Sequence, residues 1–238
     1  MASSAYEAID KEVSIRDRRW VMIHVNQATD AQIRRMKALG VIATVVPGFL
    51  WMAGDRYGLD KLGGDGIPIR RLLDGGVPVA LSTDGVPYSM LWAAWEAIAR
   101  WDEDGQRQLG DSHLTREEAL RMAAQSGHQL TWNEDRFGSL EVGKVADMAV
   151  LAEDPLTCDL DRLEDIRIER TFLGGRQVFG DRCAAGPWPS GAREPEPGPL
   201  RAETRTGRPK PGAPAGLRSG VTSILWTSKT RRPGVSRA

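Results

Sequence analysis

Three short apolar runs constrain the fold of this 238-residue chain more than anything else in it: "VMIHV" (21–25), "VIATVVP" (41–47) and "VPVALSTD" (77–84). Each is rich in β-branched residues and too short for an ordinary helix, so each reads as a buried strand. The segments between them have a different period. "DAQIRRMKALG" (30–40) sets Ile33, Met36 and Leu39 at helical spacing, with Asp30 as a candidate N-cap and Gly40 as a stop. After a Gly-rich connection, "IPIRRLLDGG" (67–76) reads as a short helix with Pro68 near its start. "SMLWAAWEAIARW" (89–101) is strongly helical, with Leu91, Trp92, Trp95, Ile98 and Trp101 available for burial. Strand and helix alternating three times predict a parallel sheet with helical crossovers. Near-continuous apolar strands fit a sheet covered on both faces. The expected fold class is α/β.

In such sheets, sites gather beyond the carboxyl ends of the strands. His24 and Asp84 stand at or near those ends. Each also has an ordinary reading. Asp84 could N-cap the next helix, and His24 could be a core histidine with a satisfied ring. His113 reads as an exposed loop residue, and His128 as a helix-end residue where a cation or a C-cap bond is favourable. Trp92, Trp95 and Trp101 read as packing residues rather than a stacking platform for substrate.

Beyond the third helix, "LTREEALRMAA" (114–124) opens with a capping box, Thr115 answered by Glu118. The pattern then changes. "KVADMAVLAED" (144–154) and "IRIERTFLGGRQVFG" (166–180) alternate like strands, and a Gly-Gly pair sits where a hairpin would turn. From residue 184 the periodicity is lost in a Pro/Gly/Arg-rich stretch, read as disordered. Residues 181–238 hold eleven Lys/Arg against four Asp/Glu, so the neutral net charge hides a basic tail behind an acidic body. The tail lacks interleaved aromatics, and a solvated tail is preferred to a nucleic-acid grip. Cys158 and Cys183 make no metal spacing and no disulfide framework, which favours free thiols. No apolar run approaches the roughly 18 residues of a membrane span, and the first residues lack the apolar region of a secretory signal. The expected location is cytoplasmic.

"GSLEVGKVADMAVLAEDP" (138–155) resembles the closing signature of the amidohydrolase superfamily, where the chain leaves a barrel and joins a β-sandwich. "LTREEALRMAAQSGHQL" resembles the helix before that exit, and "TFLGGRQVF" the strand pair that ends such proteins. "RRWVMIHVNQATDAQIRRMKALGVIATVVP" and "GVPVALSTDGVP" resemble the sixth to eighth strand units of family-3 amidohydrolases. The likeness spans residues 9–180. It implies strands 6–8 of a (β/α)8 TIM barrel within residues 1–137 and part of a small β-sandwich in 138–180. It also implies a metal-dependent hydrolase that cleaves non-peptide carbon–nitrogen bonds of small-molecule amides. By position, His24 matches a metal-site histidine. Asp84 matches the aspartate that binds metal, Zn²⁺ by expectation, and takes a proton from the attacking water.

The chain departs from that pattern in places. It has three histidines and no His-x-His, and Ile23 stands where the family often has Glu. The expectation is a C-terminal portion from a truncated or frameshifted gene, its tail translated out of frame, with most of the metal site missing and the chain inactive alone. The alternatives are one half of a split hydrolase, completed by a missing N-terminal half or by self-association, and a non-catalytic interaction protein.

Overall fold

The computed structural model describes residues 2–53, 66–85, 87–101 and 114–180. The Gly-rich connection, His113, Cys183 and the basic tail lie outside these residues. The three apolar runs form one parallel sheet in the order β1 (Val21–Met22), β2 (Ile42–Val45), β3 (Val79–Leu81). Ala43 faces Met22 on one side and Val79 on the other. Every residue of β2 and β3 is buried, as a sheet covered on both faces requires.

The helices supply the cover. The chain begins with α1 (Ala2–Glu12), a helix that the apolar spacing of the sequence does not predict. Its Tyr6 hydroxyl donates to the Val21 carbonyl (3.0 Å), and its ring meets Trp20 edge-on. α1 is fixed further by Glu7, which holds Arg35 of α2 (Asp30–Ala38) through two hydrogen bonds. The N-cap of α2 is Thr29, in a full capping box with Gln32, and not Asp30. Asp30 lies one residue inside, where its charge suits the helix amino end and pairs with Arg71. Gly40 ends this unit at φ +64°, and a Cβ there would stand 2.2 Å from the Arg16 carbonyl oxygen.

α3 (Gly48–Ala53) follows β2 directly, where a loop was expected; Val46 and Pro47 accept the first turns of its backbone bonds. α4 (Ile69–Asp74) starts after Pro68 and buries Ile69 and Leu72. α5 (Met90–Ala99) is capped by Ser89 and buries Leu91, Ala94 and Trp95. Trp92 touches both Trp51 and Trp95, so the tryptophans pack as expected. α6 (Arg116–Arg121) opens with the Thr115–Glu118 box and passes through a π-helical turn, Met122–Ser126, into α7 (Gly127–Leu130). The π-helical turn packs on β3.

A second sheet, antiparallel, has the order β4 (Met148–Leu151), β5 (Ile168–Leu173), β6 (Arg176–Phe179). Gly174 and Gly175 turn the last hairpin with φ +56° and +79°, the two left-handed residues of a type I′ turn. Asp147 accepts the Gly174 N–H (2.7 Å) and fastens that turn to the chain entering β4.

His128 differs from its sequence reading. It is buried at the end of α7 and stacked on Phe137 at 5.5 Å, where a charged ring is disfavoured. Burial holds its pKa below the usual imidazole value, against the pull of nearby Asp147 and Glu134.

Candidate active site

β1 is shorter than the apolar run that forms it. The register Val21↔Ile42, Met22↔Ala43 would continue by bonding the N–H of residue 24 to the Thr44 carbonyl. Val25 makes that bond instead, at 3.0 Å, one residue late. The extra residue is a bulge, and His24 sits in it with φ +53°. A histidine that would otherwise alternate into the sheet is thereby turned out beyond the strand end. Its side chain is 39% exposed, which removes the reading as a core histidine. Its ring rests edge-on against Phe49 of α3, with centroids 5.5 Å apart.

At the other edge, β3 stays in register to its end, where the Ser82 N–H bonds the Val45 carbonyl (2.8 Å). Two residues later Asp84 adopts φ +48°. It caps no helix, because α5 begins at Met90 and takes its cap from Ser89. Left-handed backbone costs an L-residue about 1–2 kcal/mol, and Asp and His tolerate it better than most. Both side chains are thus held away from the sheet, on its carboxyl-end side. His24 Nε2 lies 3.7 Å from Asp84 Oδ1.

That separation is too long for a hydrogen bond. It is within the reach of two ligand bonds to one ion, since zinc–nitrogen and zinc–oxygen bonds of about 2.0–2.2 Å together span up to about 4.3 Å. The donor types, imidazole and carboxylate, suit zinc. The pair therefore fits the group as two members of a site. Among the described residues no cluster of three or more His, Cys, Asp and Glu is arranged to hold a metal. A groove of about 520 Å³ between α1 and α2 shares no residue with the pair. Four of its charges are paired, Glu7 with Arg35 and Asp10 with Arg16.

Two parts of this arrangement were not legible beforehand. The bulge has no glycine to mark it. Phe49, which backs the His24 ring, lies in a helix that the Gly and Pro around it disguised. Among the described residues, no helix is long and apolar enough to cross a membrane.

The chain is 31% identical over 179 residues to the N-substituted formamide deformylase of Arthrobacter pascens, across 72% of this chain and 32% of that protein. It is 33% identical over 129 residues to the imidazolonepropionase of Geobacillus thermodenitrificans, across 53% of this chain and 26% of that one. It thus spans about a third of the length of the relatives it matches. Among solved structures, a zinc-bound adenosine deaminase from Xanthomonas campestris superimposes with a TM-score of 0.53 at 22% identity, over 74% of this chain and 40% of that one. An uncharacterized metal-dependent hydrolase from Pyrococcus horikoshii OT3 also scores 0.53, at 19% identity, over 67% of this chain and 33% of that one. These likenesses show a shared fold, that of the amidohydrolase TIM barrels. A model described as "Amidohydrolase family" matches residues 1–179, and the chain belongs to that family.

Proposed function

We propose that this chain carries part of the active site of a metal-dependent hydrolase of carbon–nitrogen bonds. In this reading β1–β3 are the sixth to eighth strands of a (β/α)8 barrel, residues 1–137 its closing part, and residues 138–180 a segment of a β-sandwich. The observation that carries the reading is the meeting of His24 and Asp84. They come from opposite edges of the sheet and are turned out by left-handed backbone to within 3.7 Å of each other.

His24 and Asp84 would both hold the ion, zinc by the chemistry of the donors. A bound ion of this kind acidifies water and polarises a carbonyl oxygen. Asp84 takes the proton of the attacking water and passes it to the nitrogen as the carbon–nitrogen bond breaks. His24, braced by Phe49, keeps its imidazole nitrogen aimed at the same point. The substrate is a small amide, with N-substituted formamides the first class to try in view of the deformylase relative.

The test is metal content of the purified chain by mass spectrometry, beside Asp84→Ala, with formate release from an N-alkylformamide as the activity readout. A catalytic zinc takes three protein ligands, so about one zinc per chain, lost in the variant, means that the pair holds the ion in a site completed by self-association. Zinc retained by the variant overturns the reading of Asp84, and a chain free of zinc after purification in its presence means that the incomplete site does not work alone.

A second reading has the outer edge of β1 in its favour, since among the described residues β1 is paired only with β2. There the site is completed by another polypeptide or a second copy. Sedimentation of the chain with and without zinc separates the two: a zinc-dependent dimer supports completion by a copy.

A further inference from the structure

Four residues around the site are left-handed without being glycine: His24, Asp84, Ile67 and, at the end of α5, Arg100. Ile67 is the least comfortable of them, because a β-branched side chain at φ +50° is a genuine outlier. It is fully buried, and something must hold it there. That something is Arg100. Its side chain is wholly buried at the carboxyl end of α5, where its own N–H bonds the Glu96 carbonyl (2.9 Å). Its guanidinium reaches back to the chain before α4. Nη2 donates to the Gly66 carbonyl (2.7 Å) and Nη1 to the Ile67 carbonyl (3.3 Å).

From Ile67 the connection runs on through backbone alone. The Ile67 N–H donates to the Asn26 carbonyl (2.7 Å), and the Asn26 N–H donates to the His24 carbonyl (2.7 Å). Between them, the Val25 N–H is tied to Thr44 of β2 (3.0 Å). The peptide that leaves His24 is therefore held on one side by the sheet and on the other by a segment pinned by Arg100. Without that pin, residues 66–67 are held to Asn26 only by the Ile67 N–H bond and the packing of the Ile67 side chain, and the bulge can relax toward a regular strand. A relaxed bulge would turn His24 away from Asp84.

We infer that Arg100 is a positioning residue for His24, acting through the chain Arg100–Ile67–Asn26–His24. The inference rests on the reading of His24 as a site residue for its functional meaning, but the geometry it asserts can be tested apart from that reading. A guanidinium is suited to the task, since its planar fork can serve two carbonyls at once and it keeps its charge when buried.

The test uses the full chain with isotope-labelled histidine and three variants, Arg100→Met, Arg100→Lys and Lys144→Met. Two signals are read: the nuclear Overhauser contacts between the His24 and Phe49 rings, and the affinity for Co²⁺ alone, followed on the His24 resonances. In Arg100→Met the ring contacts are expected to disappear and Co²⁺ binding to weaken by about tenfold or more, as when partners behind a metal ligand are removed. Lys144→Met, which loses bonds to the Glu134 carbonyl and Ser139, should lower the melting temperature while leaving both His24 signals as in the parent. A folded Arg100→Met with parental ring contacts overturns the inference. If Arg100→Met does not fold, Arg100→Lys decides: the ammonium has three donors but neither the reach nor the fixed fork of a guanidinium, so weakened ring contacts support the inference and unchanged ones overturn it. If the parent itself gives no Co²⁺ response at His24, the metal reading of the site falls, and the ring contacts alone decide the role of Arg100.

Discussion

The described residues form two sheets of three strands each, and the two differ in what covers them. The parallel sheet is enclosed: β2 and β3 are buried throughout, and α2, α4, α5 and the π-helical turn lie against it or against its core. The antiparallel sheet is covered much less, with Ile168, Leu173 and Phe179 all exposed. A buried sheet resists local opening, so strain can be stored at its strand ends. The candidate site residues, with their left-handed backbones, are found there. The open sheet instead uses its unusual backbone for a glycine turn, which needs no support from packing. Strain marks the site in one sheet and only chain reversal in the other.

Core substitutions should break the symmetry between the sheets most strongly. Leu72→Ala, beneath the parallel sheet, is expected to cost about 3 kcal/mol, and Leu173→Ala, in the open hairpin, less than about 1 kcal/mol. Urea denaturation of the two variants gives the comparison. Equal losses would mean that the antiparallel sheet carries as much of the core as the parallel one.

Glycine substitutions sharpen it next. Gly40→Ala meets the Arg16 carbonyl at 2.2 Å as well as a left-handed φ, so a loss of about 2 kcal/mol or more is expected. Gly174→Ala meets nothing within 4 Å. Its cost should be only that of the backbone conformation, about 1 kcal/mol. Similar values for both would show that close approach to Arg16 is not what selects glycine at position 40.

The join between the sheets can be probed through Arg19 and His128. Arg19 bonds the Gln129 carbonyl (3.0 Å), pairs with Glu134 (2.5 Å) and lies over the Trp132 ring (3.8 Å). It ties the approach to β1 to the chain beyond α7. Arg19→Met is expected to lower stability by about 1 kcal/mol, the scale of one cation–π contact with a partly exposed ion pair. Part of that loss in the parent should be screened by 1 M salt.

His128 gives the smallest effect, and one with a sign. Its folded pKa lies below the ordinary imidazole value because burial disfavours the charged ring. The unfolded chain therefore binds the proton first as pH falls below about 6.5. Stability is full above that value and is lost as pH falls from there toward the folded pKa. Asp147, Glu134 and Lys144 all face the ring electrostatically, and Glu134, whose pKa the Arg19 hydrogen bond holds below the ordinary carboxylate value, loses its contribution only at more acid pH, below about 4.5. Melting temperatures of the parent and His128→Leu between pH 7 and pH 5 should converge on acidification, since only the parent loses this term. Parallel curves would show that His128 is not kept neutral by burial.

Much of this arrangement was legible in the residues. The strand–helix alternation predicted the parallel sheet, the Thr115–Glu118 box began a helix, and the Gly-Gly pair turned a hairpin, because each depends on contacts within a few residues. The positions of His24 and Asp84 followed from counting to the ends of apolar runs. The local signals failed where a distant partner decided the outcome. α1 exists against Trp20, Val21 and Arg35, and its own sequence carries only a weak apolar stripe. His128 was read from its place at a helix end, but Phe137 and the chain folding back over it made it a buried, neutral ring.

By itself, then, the order of residues determined the periods of the strands and helices, the caps and turns, and which two polar side chains would stand at strand ends. Those are properties of neighbours along the chain, set by propensity, capping bonds and apolar spacing. Only the tertiary structure decided that His24 leaves the sheet through a bulge and meets Asp84 from the opposite edge. That outcome depends on Thr44, Phe49, Asn26, Ile67 and Arg100 arriving from separate elements, and bonds between segments far apart in the chain leave no periodic trace in either one.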